Sequence, residues 1–219
     1  MSDQEIRQDI IRTCLAMEAK AINRGTSGNI SVRHGEGMLI TPSALPYDQT
    51  EPEDIVWMGF DERIEGRRKP SSEWRFHLDI LRARPDVNAV LHAHPTCCTA
   101  LAIMNRPIPP IHYMIAAAGG PDIRCAPYAT YGTPELSAHA LNALKDRDAC
   151  LLAHHGMIVT GASLERALWL AVEVEALAQQ YLECLKIGDP PLLPVEEIER
   201  VRRKFAGYGY GAGSAGAEP

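Results

Sequence analysis

Asn88-Ala-Val-Leu-His-Ala-His94, followed by Pro95-Thr96, reads as a β-strand running into the start of a helix. Side chains two apart on a strand share a face, so His92 and His94 would aim both imidazoles at one point. Imidazole suits zinc and other borderline divalent metals. The plainer alternative is two partly exposed histidines satisfied by backbone carbonyls. A second histidine pair, His154-His155, precedes Gly156 at the end of Ala149–His154, another apolar run that reads as a buried strand. Adjacent strand residues face opposite ways, so only one of this pair can join the first. Three histidines from two strand ends would make a site with an open position, the arrangement of catalytic rather than structural zinc.

Outward from these strands, Thr96 to Met104 reads as a helix ended by prolines, and Met157 to Thr160 as a further strand. Upstream, Ile6, Ile10, Cys14, Met17 and Ala21 recur at helical spacing, predicting a helix from Ser2 to about Arg24 with Gly25 as its stop. Asn29–Arg33 and Met38–Thr41 flank His34-Gly-Glu-Gly37 as a hairpin, and Ile55–Met58 is a short strand. Residues 61–69 read as a charged turn, and Pro70-Ser71-Ser72-Glu73 opens a helix to about Arg84. Downstream, Ala116–Pro121 is a close-packed turn. Thr133-Pro134 starts a helix to about Lys145, Ser163–Leu185 is the longest helix, and Val195–Phe205 a short charged one. Helices and strands mix without repeats or linkers, which predicts one α/β domain over residues 1–205 and a flexible Gly/Ala-rich tail over 206–219. Short turns between several strands exclude an all-parallel sheet.

Composition narrows the function classes. The 219 residues are 46% hydrophobic and 23% charged, as in soluble globular proteins, and can bury a core without staples. With 22 basic and 28 acidic side chains, the net charge of -6 disfavours a general nucleic-acid or membrane binder. The six cysteines form no C-x-x-C pair, and the opening MSDQEIRQDI is no signal peptide. The expectation is a reduced, cytoplasmic protein with no nucleic-acid or membrane partner. The P-loop ending, a G-x-G-x-x-G turn and a G-x-S-x-G elbow are all missing.

Two further stretches are open to two readings each. At Ser71-Ser72-Glu73, serine can cap a helix and an acid can complement its dipole; equally, the free N–H groups and hydroxyls can hold an anion, with Glu73 beside it as a base or metal ligand. Gly25-Thr26-Ser27-Gly28-Asn29 can cradle phosphate through its backbone, or simply join helix to strand.

Taken in order, GTSGNISVR, LITPSALPYD, PSSEWRFH, VLHAHPTCCTALAI, HYMIAAAGG and LLAHHGMIV resemble the class II aldolase/adducin family from the first helix to about Phe205. The resemblance implies a three-layer αβα fold around a largely antiparallel sheet, assembled as a homotetramer with active sites at subunit interfaces. It implies one zinc per subunit on His92, His94 and His155, with cobalt or manganese as possible substitutes and His154 left as a structural neighbour. Glu73 would ligate zinc in the empty enzyme and then act as acid/base. The phosphate site maps onto Gly28, Asn29, Ser43, Ala44, Ser71 and Ser72. Tyr113 would handle the aldehyde oxygen of a neighbouring subunit, and Tyr208, with Tyr210 as competitor, would be the mobile tail tyrosine.

The implied reaction is reversible cleavage of a deoxyketose 1-phosphate to dihydroxyacetone phosphate and an aldehyde, in carbohydrate metabolism or nucleoside salvage. L-fuculose 1-phosphate and a 5-deoxypentulose or 5-methylthioribulose 1-phosphate are the substrate options. Phosphopentulose 4-epimerases of the family carry aspartate where Glu73 stands, and non-catalytic adducin-like domains lack the metal histidines. One departure stands out. Ser43-Ala44 replaces the Thr-Gly of the aldolases, and alanine disfavours the positive φ that glycine allows. Phosphate binding survives that change most simply if φ at Ala44 is negative.

Overall fold

A computed structural model describes residues 2–207. The chain runs α1 (Asp3–Ala19), β1 (Asn29–His34), β2 (Gly37–Ile40), β3 (Val56–Gly59), β4 (Ile64–Glu65), α2 (Trp74–Ala83), β5 (Ala89–Ala93), α3 (Thr96–Ile103), β6 (Arg124–Ala126), α4 (Pro134–Ala143), β7 (Ala149–Leu152), β8 (Gly156–Gly161), α5 (Leu164–Leu185) and α6 (Val195–Gly207). The eight strands form one sheet in the order β4-β3-β2-β1-β5-β8-β7-β6. Every neighbouring pair is antiparallel except β6 with β7.

Strand alternation sorts the core into two layers. Ile30, Leu39, Leu91, Leu151 and Val159 face α1, α3, α5 and α6, whereas Met38, Val90, Cys150 and Ile158 face α2 and α4. This is the expected three-layer αβα arrangement. At roughly 1.5–3 kcal/mol per buried large apolar side chain, both layers contribute heavily to stability.

Several boundaries differ from the sequence expectation. Helix α1 stops at Ala19, not near Arg24, because Ala21 turns left-handed at φ 56°. The Ala21 N–H then donates to Glu18 O and the Ile22 N–H to Met17 O, a Schellman closure without the usual glycine. Strand β4 lies inside the stretch expected to be a turn, and β6 was not foreseen; at two and three residues, neither is long enough to show a period. The final helix, expected to end at Phe205, runs to Gly207. Strand β7 ends at Leu152, which places both His154 and His155 in the turn to β8 rather than on a strand. Among the described residues, no helix is long and apolar enough to cross a membrane.

Candidate active site

The register of the sheet builds one side of the site. Asn29 on β1 pairs directly with His92 on β5, and His92 shares the α2-facing side of β5 with Val90. Strand β5 ends at Ala93, so His94 sits just before Pro95, the cap of α3. The β7–β8 turn closes against this end. Gly156 is required there: a Cβ on it would lie 2.5 Å from both Ala93 O and His94 Cδ2. In the same turn His154 adopts φ 54°, which sends its side chain outward while the His155 ring turns in. The turn, not strand alternation, separates the two histidines.

The ligand nitrogens of His92, His94 and His155 lie within 4.8 Å of one another. His92 Nδ1 donates to Met157 O at 2.8 Å, which leaves its Nε2 lone pair for the site. That nitrogen is 2.9 Å from His94 Nε2. Glu73 completes the group, with Oε2 3.2 Å from His92 Nε2 and Oε1 3.1 Å from His155 Nε2.

Glu73 occupies the N-cap position of α2, and its own N–H donates to Ser71 Oγ at 3.2 Å. Burial alone would raise its pKa, but the facing His92 and His155 outweigh burial and hold the carboxyl well below its usual range. Desolvation, with His92 and His155 nearby, lowers the His94 pKa to about 3, leaving a neutral ring.

These residues fit a divalent cation. Glu73 Oε1 is buried without a hydrogen-bond partner although it lies near His155. A buried carboxylate oxygen without a hydrogen bond, grouped with three imidazole nitrogens, is a donor that a cation would satisfy. Three nitrogens and one oxygen are a donor set that zinc accepts.

Behind the carboxylate runs a buried polar chain. Asn29 Nδ2 donates to Glu73 Oε2 at 2.9 Å, Asn29 Oδ1 lies 2.5 Å from His77 Nε2, and His77 Nδ1 lies 2.8 Å from Ser31 Oγ. Burial is the main cause that pushes the His77 pKa down to about 3. Its position four residues after Glu73, on the same helical face, was the sequence signal for it.

A cleft of about 440 Å³ opens in front of this group. Gly28, Asn29, Ser43, Ala44, Ser71, Ser72, Glu73, His94 and His155 all line it. Two loops are stitched together to form its wall: the Ser43 N–H donates to Lys69 O at 3.1 Å and the Ser71 N–H to Thr41 O at 2.9 Å. Gly28 packs so tightly on Asn23 that a Cβ would lie 2.7 Å from Asn23 Cγ. Ala44 has φ 55°, so the alanine holds the left-handed conformation that negative φ would have avoided. That costs about 1–2 kcal/mol relative to an ordinary backbone.

The exposed His154, Thr26, Ser27, Tyr128 and Tyr131 also line the cleft. Thr26 and Ser27 belong to the glycine-rich stretch, but the two tyrosines carry no local signal. Tyr113 is not brought to the cleft of its own chain; it is 48% exposed at the start of a 3₁₀ turn, its ring against His112. Tyr208 and Tyr210 lie outside the described residues.

Comparison with known proteins agrees with this architecture. Residues 8–182 match the model of the class II aldolase and adducin N-terminal domain. A 5-methylthioribulose-1-phosphate/5-deoxyribulose-1-phosphate aldolase of Rhodospirillum rubrum is 55% identical over 204 residues, covering 93% of this chain and 92% of the relative. An L-fuculose phosphate aldolase of Escherichia coli K12 is 54% identical over 210 residues, covering 95% and 98%. A solved L-fuculose 1-phosphate aldolase superimposes with a TM-score of 0.91 at 40% identity, covering 94% of this chain and 98% of that one. With the family model spanning α1 to α5 and relatives of this identity spanning nearly the whole chain, the protein belongs to the class II aldolase and adducin family.

Proposed function

We propose that the protein is a zinc-dependent aldolase that reversibly cleaves a deoxyketose 1-phosphate into dihydroxyacetone phosphate and an aldehyde. One observation carries the reading: a three-imidazole group with a buried, partly unsatisfied carboxylate opens onto the same cleft as Ser43, Ser71 and Ser72. The names of the similar aldolases support it. His92, His94 and His155 would hold the ion, with Glu73 as a further donor before substrate enters. When bound, zinc would polarise the carbon 2 carbonyl and stabilise negative charge that develops on the neighbouring oxygens.

The remaining work falls to the chain. The serine hydroxyls and the backbone of Gly28, Asn29 and Ala44 would take the phosphate, fixing the ketose in one register beneath the histidines. Glu73 would move a proton at carbon 3. Away from His92 and His155 its carboxylate regains ordinary proton affinity, so leaving them prepares it for that task. Tyr113 would carry the proton of the carbon 4 hydroxyl. Because it lies outside its own chain's cleft, this role requires a neighbouring subunit, in accord with a homotetramer. Tyr208, or Tyr210 beside it, would close over the aldehyde.

Identity does not choose the ketose, since relatives with both activities stand at 54–55%. Ala44 offers a handle, because a left-handed backbone at φ 55° in the cleft wall would set where a phosphate rests. The test combines zinc analysis with kcat/KM for L-fuculose 1-phosphate and a 5-deoxypentulose 1-phosphate, in the natural protein and in Ala44→Gly. Zinc-dependent turnover of at least one is expected, and absence of both refutes the reaction. An unchanged ratio in Ala44→Gly removes Ala44 from specificity and leaves the aldolase intact.

A further inference from the structure

We propose that His77, backed by Ser31, is a positioning residue that locks the side-chain amide of Asn29 with its N–H toward Glu73. The inference deepens the aldolase reading and rests on it for the step in which Glu73 moves.

An asparagine amide is nearly symmetric in shape, so packing alone does not decide which end faces a neighbour. The difference is large in the site. A carboxylate oxygen only accepts, so the amide N–H must face it; an amide oxygen there would repel it. On the other side of Asn29, Oδ1 meets His77 Nε2 at 2.5 Å, and Ser31 Oγ meets His77 Nδ1 at 2.8 Å. A neutral imidazole carries one N–H, and one assignment satisfies every contact. The Ser31 hydroxyl donates to Nδ1, the Nε2–H donates to Asn29 Oδ1, and Asn29 Nδ2–H donates to Glu73 Oε2.

The fold builds this order. Asn29 and Ser31 are two apart on β1 and share the face toward α2, and His77 follows Glu73 by about one helical turn. Asn29, Ser31 and His77 are all buried, so water cannot replace a lost link cheaply. Phe76 stacks on the His77 ring at 4.7 Å between centroids, and the His92 ring lies edge-on to Phe76 at 5.3 Å. When Glu73 leaves to move its proton, the locked amide keeps a donor aimed at the place it occupied, where an anionic substrate oxygen can be received. A histidine serving only to fill the core would need no particular ring proton and no link to turnover.

The experiment uses the full chain loaded with zinc. Long-range proton–nitrogen NMR on protein with ¹⁵N-labelled histidine should show His77 in the Nε2–H form; an Nδ1–H form overturns the proposal. In steady-state cleavage, His77→Leu should lower kcat roughly 10–100-fold, the range for lost outer contacts of a ligand, with KM and zinc content near those of the natural protein. His77→Gln, whose amide N–H reaches a similar point, should recover much of the loss. Ser31→Ala leaves the ring and its packing in place and should lower kcat about fivefold, the size of one hydrogen bond. Both losses should vanish in an Asn29→Ala background; equal losses there, or unchanged kcat in Ser31→Ala, overturn the proposal. If His77→Leu does not fold, the Ser31→Ala pair carries the same test. A natural protein inactive on both ketose phosphates would refute the reaction instead, and the NMR result still decides the lock.

Discussion

Asp54 and Glu73 are both carboxylates inside the protein, 2% and 6% exposed, and both are held more acidic than usual. Their partners differ. Asp54 Oδ1 accepts from Arg67 Nε and Arg68 Nε, each at 2.8 Å, and Oδ2 from the Glu51 N–H at 3.0 Å. Both oxygens are satisfied, and permanent cations sit at the surface beside them. Glu73 faces the ring nitrogens of His92 and His155 and one amide, and its Oε1 is left without a hydrogen bond. A guanidinium partner completes a structural tie between loops. A buried carboxylate with an unsatisfied oxygen beside three imidazoles is a donor group that a cation could complete, and that separates a candidate site from a strut.

The largest effect expected from disturbing this contrast comes from the imidazoles. His155→Ala should drop metal from about one ion per chain to near none, and turnover with it. His154→Ala, in the same turn but facing outward, should keep its metal. Elemental analysis of both variants checks this, and equal metal content would remove the assignment. Next is Glu73→Gln, which should stay folded but lose proton exchange at carbon 3 of dihydroxyacetone phosphate by ~10²–10⁴-fold; exchange followed by NMR at the natural rate would refute the acid/base role.

Asp54→Asn should do the reverse. Turnover should persist while stability falls by about 1–2 kcal/mol, a value discounted because Arg67 and Arg68 are half-exposed. Denaturant melts would show it, and a loss of activity in the folded variant would blur the contrast. The smallest effect is in acid. The folded pKa of Asp54 lies below its unfolded value, so its stabilisation is complete above the ordinary carboxylate pKa of about 3.9 and is lost as pH falls toward the folded value. Thermal melts between pH 6 and pH 2.5 should therefore show a shallower acid decline in Asp54→Asn than in the natural protein; identical slopes would deny the linkage.

Local patterns carried much of this architecture. The hairpin of β1 and β2, the proline-started α4 capped by Thr133, and α5 capped by Ser163 all stand close to where spacing and caps put them. Strands β4 and β6 were hidden, because a strand of two or three residues is defined by the neighbour it pairs with and not by a period of its own. Part of the site was legible in the same way. His92 and His94 share a face by strand geometry, and Ser71 caps the turn that presents Glu73. Tyr128 and Tyr131 were not, since the loop bearing them reaches the cleft only through long-range packing.

What the sequence determined by itself was therefore the set of chemical groups and their local directions: two imidazoles on one strand face, an acid at a helix start, hydroxyls and glycines in turns, and the motif order that marks the family. Tertiary structure decided which of those groups meet. The β1–β5 register set Asn29 beside His92, and the left-handed backbone at His154 turned His155 inward. Packing of α2 on the sheet brought His77 to Asn29, and the paired loops held Ala44 at positive φ. Spacing fixes direction over a few residues through backbone geometry, whereas contact between segments 40 or more residues apart depends on register and loop closure, which belong to the whole fold.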